Sequence, residues 1–149
     1  MRADQHETAP RRWDVGFRVP AELDQLTMAH ALAEAVLLVG GFALDEATDL
    51  LLALDELVTA LILEAVPDSA VECAFTGADG ALGARVTTVA RHPHSIDENT
   101  FGWHVAATLT DALRIDYAAF DPVRRGYPTT VEFGWIRRFG GPAASGRYA

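Results

Sequence analysis

The stretch from Asp45 to Val66, DEATDLLLALDELVTALILEAV, is the longest continuous helical pattern in the chain. Its apolar residues recur every three or four positions, which is the spacing of a helix with one buried face. They are Ala47, Leu50, Leu51, Leu54, Leu57, Val58, Leu61, Ile62 and Ala65. We predict one long amphipathic helix here, with Asp45 as its N-cap and Pro67-Asp68 at its end.

The residues before this helix predict a strand and a first helix. Residues 1–12 are polar and are expected to form a disordered lead-in. Trp13 to Val19 alternates apolar and polar residues, as a half-buried strand does. Helical spacing then runs from about Ala21 to Val39, and Gly40-Gly41 supplies a stop signal.

A hairpin is predicted directly after the central helix. Two alternating segments, Val71 to Thr76 and Ala84 to Val89, flank a turn that contains Asp79-Gly80. Asp-Gly between alternating segments is the strongest short-range hairpin signal. Arg91 to Asn99 is polar and without periodicity, so we predict a loop there.

The last third predicts a third helix and two strands. Thr100 is the candidate N-cap of a helix from Phe101 to Leu113. A short strand from Ile115 to Phe120, a turn from Asp121 to Pro128 and a final strand from Thr130 to Arg138 follow. Residues 139–149 are small and polar and are expected to form a flexible tail.

This order of elements defines the expected fold class. Helices do not alternate one for one with strands, which argues against a doubly wound parallel sheet. We expect an α+β fold, a two-layer sandwich of a mixed, mostly antiparallel sheet with three helices on one face. A single domain should cover residues 13–138, because a chain of 149 residues suffices for one core.

Charge and cysteine content limit the classes of function. The net charge of −9, with all twelve cationic side chains being Arg, argues against direct nucleic-acid binding. It favours a basic partner, although an acidic balance can also serve only to keep a protein in solution. The single cysteine, Cys73, excludes an intrachain disulfide and is expected to be buried in its strand. With no apolar run of membrane length and no secretory signal, we expect a cytoplasmic protein without membrane contact.

Three segments resemble a known family. They are Leu54 to Thr59 in the central helix, Pro128 to Phe133 in the last strand, and Phe101-Gly102-Trp103-His104-Val105. With the element order, they resemble the GHKL (Bergerat-fold) ATPases, and within these the anti-sigma factor serine kinases of the RsbW type. The third segment is similar to divergent actinobacterial members, and the resemblance covers roughly residues 13–138.

The resemblance also assigns expected roles to individual residues. The family's central helix carries Glu-x-x-x-Asn, which implies Glu56 as general base and places Ala60 where the magnesium ligand would stand. A methyl group offers no oxygen to a cation that requires oxygen ligands. The adenine-binding aspartate falls on or near Ala90, and only Gly102 remains of the glycine-rich phosphate turn. Thr129 and Thr130 stand where the family places a threonine near the nucleotide.

Each of these residues also has an ordinary structural interpretation. Glu56 fits a solvated helix residue as well as a catalytic base, and threonines are common in strands. His92 and His94 beside Asp97 and Glu98 could suggest a metal site, but their spacing matches no standard zinc pattern, and we predict none. His104, next to Trp103, is expected to be packed.

Two functions follow from the resemblance. The first is an anti-sigma factor that sequesters a sigma factor by contact, with degenerate nucleotide motifs and no cofactor. The resemblance further implies a homodimer, a STAS-type anti-sigma-factor antagonist as second partner, and a contact surface around the first helix, for which we propose Arg18, Glu22, Gln25 and Glu34. The alternative is an active serine/threonine kinase that phosphorylates the antagonist with ATP and magnesium.

Overall fold

The computed structural model describes residues 12–138, so the predicted tail and all of the lead-in except Arg12 lie outside the described residues. The order of strands and helices agrees with the sequence prediction throughout this range. The strands are β1 (Trp13–Pro20), β2 (Ala70–Ala78), β3 (Ala81–Ala90), β4 (Ala112–Tyr117) and β5 (Tyr127–Ile136). The α-helices are α1 (Leu26–Val39), α2 (Leu44–Glu64) and α3 (Phe101–Leu109), and a 3-10 turn (Leu23–Gln25) precedes α1.

The five strands form one sheet in the order β1-β2-β3-β5-β4. Every pairing among the described strands is antiparallel, so the sheet is simpler than the mixed sheet expected. Alternate strand residues are buried with the helices, and their neighbours are exposed on the other face. The α+β class and the two-layer arrangement are thus confirmed.

Helix α2 lies at the centre of the helical layer and packs against α1, α3 and the sheet. Its buried face carries the predicted seam from Ala47 to Ile62, with Ala53 buried in addition. Ala65, the last residue of the predicted seam, is instead the half-buried C-cap of the helix. On the sheet side, Cys73 is buried in β2 as predicted, and this burial raises the pKa of its thiol to about 12. The thiol therefore stays neutral at physiological pH and acts as a small apolar side chain.

The start of α2 differs from the prediction, because Ala43 and not Asp45 is its N-cap. The Glu46 carboxylate reaches back and accepts a hydrogen bond of 2.8 Å from the Ala43 backbone N–H. Asp45 lies within the first turn, where its carboxylate accepts from the Glu46 N–H and complements the helix dipole. Alanine can hold the cap position because Glu46 supplies the stabilising contact from inside the helix.

Helix α3 is shorter than predicted and ends at Leu109. The backbone of Thr110 is extended, and the chain then enters β4, where Leu113 pairs with Phe133 of β5. In the sequence the helical spacing continues to Leu113. In the structure the backbone N–H and C=O groups of Ala112 and Leu113 lie in β4, which pairs with β5, so they are satisfied in a strand and not in a helix. Strand β4 therefore begins and ends three residues before the predicted strand does.

The first strand is attached to the helical layer by Trp13. Its indole ring lies against Gly77 of β2 and Gly40 after α1, and a side-chain carbon on either glycine would overlap the ring. At the β2–β3 turn, Gly80 has a φ of +70°, which glycine adopts without strain, as the Asp-Gly hairpin signal predicts. None of the helices within residues 12–138 has the length and apolar character needed to cross a membrane.

Candidate functional site

A cleft of about 270 Å³ lies between the second half of α2, the loop after β3 and the start of α3. Glu56 and Ala60, one helical turn apart, both line it, so the α2 flank singled out in the sequence does face a cleft. The other lining residues are Thr59, Leu63, Glu64, Ser95, Ile96, Asp97, Thr100, Gly102 and Trp103.

Glu56 and Gly102 are in direct contact across this cleft. A side-chain carbon built on Gly102 would overlap the Glu56 carboxylate. The structure therefore brings together Glu56 and Gly102, two of the site residues that the sequence predicts. A larger side chain at this point of α3 would displace the Glu56 carboxylate from its present position.

The start of α3 is positioned by Thr100. Its hydroxyl accepts a hydrogen bond of 3.1 Å from the Trp103 N–H, which confirms the predicted N-cap. This cap places Gly102 and the buried Trp103 against α2. His104 is exposed, so the expectation of a packed histidine is wrong; the helix turns Trp103 inward and its neighbour outward.

Replacement of Thr100 by Ala is expected to lower the free energy of unfolding by about 1 kcal/mol, because the Trp103 N–H loses its acceptor. Thr108→Ala, at an exposed position of the same helix, is the matched control and should cost less. Urea denaturation of the two variants measures the difference. Equal losses would show that the cap contributes nothing specific.

The loop from Arg91 to Asn99 forms the other wall of the cleft. Ile96 is buried in it, and His94, with a φ of +50°, places its ring 4.4 Å from the ring centre of Tyr117. Within residues 12–138, no three His, Cys, Asp or Glu side chains are grouped so that they could hold a metal ion. The Ser95 hydroxyl is buried and has no hydrogen-bond partner among these residues.

The end of β3 is closed where the resemblance would place an adenine-binding aspartate. Ala90 is fully buried and forms a bridge with Ala65 after α2. The Arg91 N–H donates to the Glu64 carbonyl at 2.8 Å, and the Arg91 guanidinium donates to the Leu63 carbonyl at 2.7 Å. These hydrogen bonds join the end of β3 to the end of α2. Ala90 offers no side-chain acceptor at this position.

The two nominated threonines lie apart from the cleft. Thr129 is buried on the helix-facing side of β5, and its hydroxyl donates to the Tyr127 carbonyl at 3.0 Å. Thr130 points to the opposite face of the sheet, where its hydroxyl is 3.1 Å from that of Thr87. Neither residue lines the cleft with Glu56 and Gly102.

Sequence reasoning missed Ser95, Trp103 and Leu63 as lining residues of this cleft. Trp103 carried a usable signal, since a residue three positions after an N-cap is fixed close to that cap. Ser95 carried none, because its place depends on how an aperiodic loop folds back on α2.

The fold and this cleft define an antiparallel α+β protein of two layers with an acidic cleft between two of its helices. A scan of the sequence against models of known protein families gives no match, and a search of curated proteins gives none either.

Proposed function

We propose that this protein regulates another protein by binding it, and that it is an anti-sigma factor that sequesters a basic sigma factor without nucleotide chemistry. The observation that carries the proposal is the surface of α1, which is apolar on both sides. The resemblance to anti-sigma factor kinases supplies the identity of the partner.

The inner side of α1 carries Ala29, Ala33 and Leu37, all buried in the core. Four residues on its opposite side fall at positions i, i+4, i+7 and i+11, which places them in one line. This line, the outer strip, consists of Met28, Leu32, Ala35 and Val39. Met28 is 53% exposed and Val39 is 88% exposed.

Helices that are apolar all round are normally covered on every side. Glu34 is the only acidic residue of α1 and lies outside the strip, and the Nδ1 atom of His30 lies 3.0 Å from the Asp55 carboxylate of α2. Exposed apolar patches of this kind mark protein–protein contact sites. We therefore assign the outer strip to a protein partner, which the net charge of −9 favours as a basic one.

The nominated contact residues occupy more than one surface. Arg18 lies on the face of the sheet away from the helices, where its guanidinium is 3.7 Å from the Glu72 carboxylate. Glu22 and Glu34 are exposed on the helical side, and Gln25 is half-buried. The outer strip replaces Arg18 and Gln25 as the centre of the proposed contact surface.

The cleft supports a function without ATP. Ala60 offers no oxygen for magnesium beside Glu56, and Ala90 offers no acceptor for adenine. The proposal includes a cytoplasmic setting, a homodimer and a STAS-type antagonist that releases the sigma factor.

The double variant Met28→Glu/Leu32→Glu tests the proposal. We expect it to weaken sigma-factor capture from native extract at least tenfold, because two carboxylates would be buried in an apolar contact. Ala107→Glu/Thr108→Glu on the exposed side of α3 adds the same charge elsewhere and should leave capture unchanged. Size-exclusion chromatography with light scattering on both variants separates loss of a homodimer from loss of the sigma factor. Unchanged capture by the strip variant would refute the proposal.

The contact between Glu56 and Gly102 favours a second candidate, the active serine/threonine kinase. In that case Glu56 would act as base, and other groups would hold magnesium. Calorimetry with Mg-ATP at millimolar concentration distinguishes the two functions. Saturable binding, together with phosphate transfer to the antagonist, would replace the first proposal by this one.

A further inference from the structure

We propose that strand β4 pairs in antiparallel orientation with β4 of a second copy of this chain, so that the two five-stranded sheets become continuous. The pairing gives the homodimer of the proposed function a definite surface, separate from the outer strip, and to that extent it rests on the proposed function. Its physical grounds lie in the edge strand alone: free backbone groups, a half-buried apolar side and two opposite charges.

Strand β4 lies at the edge of the sheet and pairs only with β5. The Ala118 N–H donates to the Pro128 carbonyl at 2.9 Å just after the strand ends. Because inward and outward directions alternate along an antiparallel strand, the backbone groups of Leu113, Ile115 and Tyr117 are directed away from β5. In the described part of the chain, no other segment forms a backbone hydrogen bond with them. They are therefore available to a further strand.

The apolar side of β4 is covered less well than that of β5. Leu113, Ile115 and Tyr117 pack against the core but are only half-buried. The residues opposite the first two on β5, Phe133 and Val131, are fully buried. A strand added beside β4 would extend the sheet past these side chains and remove more of their apolar surface from water, which favours association.

The other side of β4 carries the end of a row of charges. Arg85 of β3, Glu132 of β5 and Arg114 of β4 lie side by side on three neighbouring strands. The Glu132 carboxylate accepts from both guanidinium groups, at 2.8 Å and 2.6 Å, so two cations share one anion. The Asp116 carboxylate lies 3.5 Å from Arg114 on the same strand, and both side chains are more than half exposed. A carboxylate on an added strand would continue the alternation of charge.

These features select one register between two copies. Backbone hydrogen bonds require outward-directed residues to lie opposite each other, and the register centred on Ile115 uses all three of them. It places Leu113 opposite Tyr117 of the second copy on the apolar side. On the other side it places Arg114 opposite Asp116 of the second copy, and symmetry repeats this pair. The charged pair is not joined through the backbone, which is the arrangement that brings side chains closest.

Charge opposes the neighbouring registers. Centring the pairing on Arg114 would set two guanidinium groups against each other, and centring it on Asp116 would set two carboxylates together. Like charges directly opposite destabilise a pair of strands, whereas opposite charges stabilise it. Strand β4 also contains no proline and no bulge, two devices that block an edge, whereas β1 at the other edge ends at Pro20. The edge formed by β4 is thus complementary to itself, and the partner that fits it is a second copy of the chain.

Charge complementation between two variants tests the pairing. Sedimentation velocity of the full chain over a range of concentrations measures the dissociation constant of the dimer. Arg114→Glu and Asp116→Arg should each weaken dimerisation by about tenfold or more, because each creates two like-charge pairs. An equimolar mixture should regain the wild-type affinity, because both pairs in the mixed dimer join opposite charges. A monomeric wild type, or a mixture that associates no more tightly than its components, would overturn the proposal.

Arg18→Glu is the matched control for charge. Arg18 lies on the same face of the sheet but on β1, the opposite edge strand. The variant makes the same change of charge as Arg114→Glu and should leave the dimer unchanged. An equal loss of dimer from the two variants would overturn the assignment to β4.

Hydrogen exchange locates the interface without any substitution. The amides of Leu113, Ile115 and Tyr117 should exchange slowly when the wild type is dimeric, because their N–H groups are then bonded to the second copy. Dilution below the dissociation constant should remove this protection. Fast exchange of the three amides in the dimer would place the interface elsewhere and refute the pairing.

Partner capture separates this proposal from the proposed function. If both hold, Met28→Glu/Leu32→Glu loses the sigma factor and keeps the β4 dimer. A dimer that shows charge complementation but captures no sigma factor would support the pairing and refute the proposed function. Capture through the outer strip by a chain that shows no complementation would refute the pairing and leave sequestration by the strip intact.

Discussion

Leu57→Ala is expected to lower the free energy of unfolding by about 3 kcal/mol, because it truncates a fully buried core side chain. Leu57 lies on the core face of α2 and is only 1% exposed. Its truncation removes apolar contacts within the core and leaves a cavity that close-packed neighbours fill only in part. Urea denaturation monitored by circular dichroism measures the loss.

Leu52→Ala on the same helix is the control, because Leu52 is 45% exposed. Both substitutions change helix propensity equally, so the difference between them isolates burial. We expect the control to cost less than about 1 kcal/mol. Comparable losses at the two positions would contradict the assignment of the core face of α2.

Arg137→Ala is expected to cost about 2 kcal/mol at neutral pH, because it breaks a partly buried ion pair. The Arg137 guanidinium donates to both carboxylate oxygens of Glu46, at 2.7 Å and 2.8 Å. The two side chains are only 19% and 15% exposed, so solvent screens the pair weakly. The pair joins the residue after β5 to the first turn of α2.

The same pair predicts a dependence of stability on pH. The hydrogen bond from Arg137 lowers the pKa of Glu46 below the ordinary value of 4.5, despite the opposing effect of burial. A carboxyl group with a depressed pKa stabilises the folded state fully above its unfolded pKa, and this contribution disappears as the pH falls through the folded pKa. The cost of Arg137→Ala should therefore shrink below about pH 4.

Arg138→Ala is the control for both measurements. Arg138 forms an ion pair with Asp111, but its side chain is 66% exposed. Exposed pairs contribute little, so we expect a loss below about 1 kcal/mol. Urea denaturation at pH 7 and at pH 3 gives both comparisons, and a cost of Arg137→Ala that is equal at the two pH values would refute the role of Glu46.

The order of strands and helices could be predicted because it depends on local patterns. The seam of α2, the Asp79-Gly80 turn and the Thr100 cap each involve residues within a few positions of one another. Errors occurred where distant residues competed with a local pattern. Leu113 continued the spacing of α3, but pairing with Phe133 placed it in β4.

The candidate site was predictable in part for the same reason. Glu56 and Ala60 had to share one flank of a helix, since they are four residues apart. Their contact with Gly102, and the position of Ser95 in the same cleft, depend on the path of the loop between β3 and α3. Thr129 and Thr130 look equivalent in the sequence, yet they point to opposite faces of β5.

The sequence by itself therefore determined the periodic elements, the α+β class and the flank of α2 that carries Glu56. Only the tertiary structure decided which residues meet that flank and which side of α1 stays uncovered. The physical reason is the separation along the sequence of the residues that interact. Periodicity and capping involve residues a few positions apart, whereas a cleft and an exposed strip depend on how distant segments pack.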